Sequence, residues 1–504
     1  MPNCRRVLAV LLLCVPLTTL AAQGDTIVVT WRQQALPQVE LGRVKDVGAE
    51  VAEDGRVTLT DRRLALDEDG EPVGELTYVL RGTTDDGAFK LDTKHRARVV
   101  LDALRLTSRE GAAIHLKNKK RVELVVADGT SNSLTIAACA DTASHKAAAL
   151  WAKDKLVLAG SGRLDVLATG DGCKGIRGKD DITLRDLALR VETQGDNLGV
   201  DTTRQMPFGA PDMSGPPPGG FHPDSLPEEV RAHFEEMRQR MEQMHKERGE
   251  MGPPEHPDGQ FGPPQGGKQK YIACAKAVKS QGIVKIESGH VEVVTASPGA
   301  EGIEGKQGIV IDGGTVVVHS PDDAINAGGQ IVVNGGHVTA HSTGNDAVDS
   351  NYGESQGGGG FPPFMQHDEP QEPGIVVTGG TLWAWSQNGP PEEGLDCDSA
   401  PIRIAGGTVF SIGAGMGDMP SVPTQDTAEQ PTALLIGLQL KEREPVRLTD
   451  SEGQVLCEFA APFDFQHSSS LISSPAFRVG ETYTVTSAGQ QHTFTLDQQF
   501  TIVR

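Results

Sequence analysis

Gly313-Gly314-Thr315-Val316-Val317-Val318, followed by Asp323-Ala324-Ile325 and Ile331-Val332-Val333, is one statement of a phrase that recurs through residues 288–412. The opening small pair returns as Ser288-Gly289, Gly335-Gly336, Gly379-Gly380 and Gly406-Gly407, and the acid-small-apolar triplet returns as Glu301-Gly302-Ile303, Asp346-Ala347-Val348 and Glu393-Gly394-Leu395. Strands and Gly turns at a period in the low twenties, without a helical pattern, predict an all-β solenoid. The coil is too long for a nine-residue calcium β-roll and lacks the Leu pattern of leucine-rich repeats.

The apolar member of the triplet traces one column: Ile114, Leu150, Ile176, Val200, Val278, Ile303, Ile325, Val348 and Leu395. The steps from Leu150 to Ile176 to Val200 are 26 and 24, and those from Val278 through Val348 are 25, 22 and 23. Val200 to Val278 and Val348 to Leu395 break the period, and each break holds a low-complexity insert. Like residues stacked about 4.8 Å apart, one per coil, form the core of a parallel β-helix.

Around this frame the chain divides as follows. Residues 1–22 read as an export signal, with Arg5 and Arg6 before the apolar run Val7 to Val15 and small residues at Leu20-Ala21-Ala22. That run is too short to span a bilayer, and no later segment is long enough. Residues 23–95 form an N-terminal β cap and first coils, 96–430 the parallel β-helix, and 431–504 a small C-terminal antiparallel β cap. The 206–270 insert is rich in Pro, Met and Gly and contains one helix, 226–248. Its apolar stripe of Val230, Phe234, Met237, Met241 and Met244 reads as a docking surface for a protein partner, as a Met/His metal trap with His233 and His245, or as a loop helix resting on the solenoid or half disordered. The 351–373 insert carries Gly357-Gly358-Gly359-Gly360 and reads as a flexible loop.

The 504 residues carry a formal charge of −22, which argues against nucleic acid as a partner. After signal removal five Cys remain, Cys139, Cys173, Cys274, Cys397 and Cys457. Their spacing fits no zinc motif, and they read as small buried residues with room for one disulfide.

Two charged columns flank the apolar one. Two residues before it stand Lys174, Lys276, Glu301, Asp323, Asp346 and Glu393; one residue after it stand Trp151, Arg177, Asp201, Lys279, Glu304, Asn326, Asp349 and Asp396. Carboxylates one coil apart repel and titrate high unless a cation intervenes. With Asp322, Asn345 and Asp398 close by, the columns offer the all-oxygen shell that Ca²⁺ prefers, and paired His or Cys ligands for zinc are lacking. The competing reading is turn chemistry, since Asp and Asn also hydrogen-bond their own backbone at loop corners.

Thr77-Tyr78-Val79-Leu80-Arg81-Gly82, Ala127-Asp128-Gly129-Thr130-Ser131-Asn132, Gly160-Ser161-Gly162, Gly175-Ile176-Arg177-Gly178-Lys179-Asp180, the Asp323-Ala324-Ile325 rungs and the tail Gly480-Glu481-Thr482-Tyr483 together carry a resemblance. The chain resembles the exported bacterial carbohydrate-binding family of right-handed single-stranded parallel β-helices, pectate-lyase-like in shape, that bind calcium and polygalacturonate. The resemblance implies Ca²⁺ in the acid columns and an acidic, pectin-like polysaccharide as ligand. Lys174 and Lys276 depart from the acid pattern. With Arg177 and Lys279 they read as a basic strip for a uronate polymer, with Trp151, Trp383 and Trp385 as stacking faces for sugars. Rival readings are a calcium-dependent polysaccharide lyase using Arg177, Lys279 or Arg403 as base, and a surface adhesin.

Overall fold

The computed structural model describes residues 25–64, 74–141, 147–200, 271–352, 372–397, 400–414 and 421–504. The expected export signal, the expected 226–248 helix and nearly all of both inserts lie outside the described residues. Two contact units result, Met1–Gly199 with Ile272–Arg504, and Val200–Tyr271; the second falls almost wholly outside the described residues.

The alternating phrase produces strands whose apolar positions are buried and whose intervening positions face out. One coil runs through Ile303–Gly305, Gly308–Ile311 and Thr315–Ser320; the next runs through Ile325–Ala327, Ile331–Val333 and His337–Ser342. Each strand pairs in parallel with its counterpart one coil later, as in Ile303 with Ile325, Ile309 with Ile331 and Val316 with Val338. The architecture is therefore all-β with long parallel sheets, consistent with a β-helix or solenoid. Its core is a continuous cluster of Val, Ile and Leu lying between the ladders.

The glycine pairs mark the corners. Gly289, Gly314, Gly336, Gly380 and Gly407 all adopt positive φ, between 75° and 95°, the left-handed region that only glycine enters without strain. They also stack: a Cβ on Gly336 would stand 2.5 Å from the carbonyl oxygen of Gly314 one coil back. Phase and close approach together demand glycine here.

The apolar column closes as Ile114, Leu150, Ile176, Val278, Ile303, Ile325, Val348 and Leu395, each in register with the next. Val200 is not in it. Ile176 pairs directly with Val278, and Leu198–Val200 joins Tyr271–Ala273 in a separate two-stranded sheet. The 24-residue step from Ile176 to Val200 is therefore accidental, because the chain leaves the ladder before Val200 and rejoins it after Ala273.

At the N-terminus, antiparallel hairpins give way to parallel coils. Val47–Val51 pairs antiparallel with Arg56–Asp61, which then pairs in parallel with Ala88–Thr93 and so starts the ladder that leads to Ile114–Asn118. At the other end, Thr408–Gly413 meets Phe465–Ser473 antiparallel, and Pro445–Asp450 and Thr482–Ser487 lie in a four-stranded antiparallel sheet. The terminal strand departs from the expected antiparallel cap: Phe500–Val503 runs parallel to Thr432–Leu440. Hydrogen-bonding the last coil to these strands removes an open parallel edge. No disulfide joins Cys173, Cys274 and Cys457.

Candidate functional site

The short strand that opens each coil, such as Ile303–Gly305 or Ile325–Ala327, carries the apolar column, and the two charged columns stand on either side of it. Register carries Arg177, Lys279, Glu304, Asn326, Asp349 and Asp396 along one ladder in that order. The columns split into a basic–acidic half and a carboxylate half.

In the first half the charges neutralise one another. Glu304 is fully buried, and its carboxylate meets Lys276 at 3.0 Å, Lys279 at 2.6 Å and also Lys306. Lys276 further meets Glu301 at 2.7 Å. Burial by itself would raise Glu304, yet the three ammonium groups overcome it and hold the carboxyl far below its ordinary range. Glu301, with only Lys276 beside it, is pushed up by burial and by Glu304. Lys276 is held charged by both glutamates against the cost of burial, whereas Lys279 is lowered by burial and by Lys276. Lys174 is buried, with its ammonium 3.5 Å from the Gly172 carbonyl; burial and the nearby Arg177 and Lys279 push it down to about 8. Arg177 is also lowered by burial.

The second half is built of carboxylates and amides. Asp323, Asp346 and Asp349 are buried and bring carboxylate oxygens within 4.8 Å of one another. Two amides line the cluster. Asn326 Nδ2 donates to Asp323 Oδ2 at 2.8 Å and to Asp349 Oδ2 at 2.9 Å, and Asn345 Nδ2 donates to Asp322 Oδ1 at 2.9 Å and to Asp323 Oδ1 at 2.6 Å. Asn351 Nδ2 donates to Asp349 at 3.1 Å. Asp346 accepts the Glu393 backbone N–H at 2.5 Å, but burial and the charges of Asp396 and Asp323 still drive its carboxyl well above the ordinary value. Three buried carboxylates brought this close together are an arrangement that a hard divalent cation relieves.

The predicted residues thus separate. Asp323, Asp346 and Asp349 come together, with Asp322 and Asn345 at their margin. Glu393 accepts the Ser421 N–H at 2.6 Å and Asp396 accepts the Ser421 hydroxyl at 3.0 Å, one coil beyond. Glu301 and Glu304 are engaged by lysines rather than joined to the aspartates. Asp201 and Asp398 lie outside the described residues. Lys276 and Lys279, expected on a sugar-binding strip, face buried glutamates instead. Trp151 is buried with its ring edge-on to His115, centroids 4.3 Å apart. Trp383 and Trp385 stack on each other at 5.8 Å, and Phe459 of the C-terminal sheet lies 5.4 Å from both. Arg403 is paired with Glu429 at 2.7 Å.

Sequence reasoning missed Lys306 and Ser421. Lys306 stands three residues beyond Ile303, as Lys179 stands beyond Ile176, so its position was readable from the column. Ser421 follows a break in the period and carries no such signal.

Residues 66–206 and 264–347 match the family model of carbohydrate-binding domain-containing proteins. A protein of that description from Acetivibrio thermocellus is 32% identical over 97 residues, which are 18% of this chain and 34% of that protein. The chain therefore spans about a third of the length of this relative. A solved polysaccharide lyase-like protein from C. thermocellum, a gadolinium derivative, is 18% identical with a TM-score of 0.36, covering 62% of this chain and 92% of that one. The matched segments of the family model take in the coils of Lys174 and Arg177 and those from Lys276 to Asp346.

Proposed function

We propose that this chain is an exported carbohydrate-binding protein, a right-handed parallel β-helix that holds Ca²⁺ in its aspartate ladder and recognises an acidic polysaccharide of the polygalacturonate type. The match to carbohydrate-binding domains supports the carbohydrate half of this reading. The observation that carries the calcium half is the buried trio Asp323, Asp346 and Asp349, whose carboxylate oxygens lie within 4.8 Å of one another. Their oxygens, with the side-chain oxygens of Asn326 and Asn345 after an amide flip, are the donors calcium takes. Bound there, the ion supplies positive charge both to the ladder and to a uronate carboxylate beside it.

The test is calorimetric titration of chelator-stripped protein with Ca²⁺, then with polygalacturonate in the presence and absence of the ion. Heat that disappears in Asp323→Ala plus Asp346→Ala supports the assignment; a parent protein that takes up no calcium ends it. A lyase is the weaker reading, because Lys279 and Arg403 are each ion-paired with a glutamate. Ultraviolet absorbance of unsaturated uronate product is the direct check.

A further inference from the structure

Near the N-terminal end, the ladder begun by Arg56–Asp61 forms an open depression of about 400 Å³. Its walls carry Arg62, Lys94, Lys117, Lys119 and Lys153, with Asp61 and Asp92 between them. Both acids are already engaged. Asp61 is buried and paired with Arg63 at 2.8 Å, and Asp92 is paired with Lys117 at 2.7 Å. Arg62, Lys94, Lys119 and Lys153 are exposed, and among the described residues none has a carboxylate within ion-pair distance.

The fold places these cations in sequence. Thr60 is in register with Asp92, and Asp92 with Lys117. The Lys119 N–H donates to the Thr93 carbonyl at 3.2 Å, and the Lys153 N–H donates to the Leu116 carbonyl at 2.9 Å. Arg62, Lys94, Lys119 and Lys153 therefore come from four successive coils, a row roughly 14 Å long at one strand spacing per coil. In a chain of net charge −22, a concave row of unpaired cations reverses the local field and concentrates anions.

We infer that this depression is the contact site for the anionic groups of a linear glycan, one negative group per coil or every second coil. The inference rests on the reading of the ligand as an acidic polysaccharide, and it moves the charge contact away from Lys276 and Lys279, whose ammonium groups already meet Glu301 and Glu304. A repeating polyanion matches a repeating cation row, and Arg62 can hold a carboxylate or sulfate through two parallel N–H groups. The whole-chain negative charge disfavours a nucleic acid in the same groove.

The experiment measures binding of polygalacturonate and of heparin to the parent, to Lys119→Ala plus Lys153→Ala, and to Lys120→Ala, an exposed lysine that does not line the depression. Each is measured at low and high salt. The double variant is expected to bind polygalacturonate about five- to tenfold more weakly, with a shallower salt dependence. Lys120→Ala should bind as the parent does, and calcium should stabilise all three proteins equally. A double variant that binds polygalacturonate as tightly as the parent overturns the site and leaves the acidic-polysaccharide reading standing. Lysine-dependent binding of heparin alone keeps the site but overturns the polygalacturonate reading in favour of a sulfated glycan. A parent that binds neither polymer overturns both.

Discussion

Glu304 and Asn326 are direct register partners on neighbouring coils, and the charge ladder changes character between them. On the Glu304 side three lysines surround one buried carboxylate; on the Asn326 side an amide donates to two aspartates. The neutral amide stands where the lysine-paired segment gives way to the clustered aspartates.

Removing the carboxylate at Glu304 leaves Lys276 and Lys279 buried without their common partner. Glu304→Gln should lower stability by about 3–5 kcal/mol, the usual cost of breaking a buried pair, as read by chemical denaturation. Because the folded value of Glu304 lies below the unfolded one, its contribution is complete above the ordinary carboxylate range and is lost as pH falls beneath about 4. The variant should therefore lose part of the parent's acid transition. A variant as stable as the parent at pH 7 would mean the lysines find other partners.

Asp346 has the opposite sign. Its folded value is raised, so the folded state holds a proton that the unfolded chain has released above about pH 4. The metal-free protein should lose stability as pH rises from there through the raised value. Calcium at a hundredfold excess over its Kd should add about 2.7 kcal/mol and flatten that slope. Asp346→Asn should stabilise the metal-free protein near neutral pH and abolish the calcium effect. Melting curves across pH, with and without chelator, decide it.

Lys174, driven down to about 8 by burial, Arg177 and Lys279, lowers stability at neutral pH. Between about pH 8 and its ordinary value the unfolded chain keeps a proton the folded one gives up, so parent stability should rise with pH over that window. Lys174→Met should be more stable than the parent below pH 8 by on the order of 2–3 kcal/mol, the gap closing toward pH 10. A constant gap would point to packing rather than charge.

Phe459 covers Trp383 and Trp385 and also meets Phe410, with centroids 4.7 Å apart. Phe459→Ala should cost about 3–5 kcal/mol and shift tryptophan emission to longer wavelength. In the parent, oligosaccharide should leave that emission unchanged, because the indole faces are occupied from within. A ligand-induced change there would restore these tryptophans as a sugar platform.

Much of this was legible in the residues. The Gly pairs announced the corners, and six of the seven register steps of the apolar column join residues that follow one another in the column as read from sequence, Ile303 to Ile325 to Val348 among them. The aspartate trio was readable for the same reason: a stacked repeat converts sequence position into spatial adjacency. Val200 misled because a residue of the right type stood at the right interval inside a departing strand. Trp383 and Trp385 misled because outward residues on a solenoid look solvated until a distant segment, here Val455–Ala460, is laid over them.

By itself, the sequence determined the all-β repeat, the period, the glycine corners and the order of charges up each column, since all of these are properties of one coil repeated. Only the tertiary structure decided which charges neutralise one another. Lys276 and Lys279 were expected on a basic strip, but their side chains reach across to Glu301 and Glu304, because a carboxylate offsets the cost of burying an ammonium. At Asp323, Asp346 and Asp349 the carboxylates gather with one another and with the amides of Asn326 and Asn345 instead. That difference of a few ångströms in side-chain reach, which no column of letters contains, separates the ion-paired half of the ladder from the half suited to a metal.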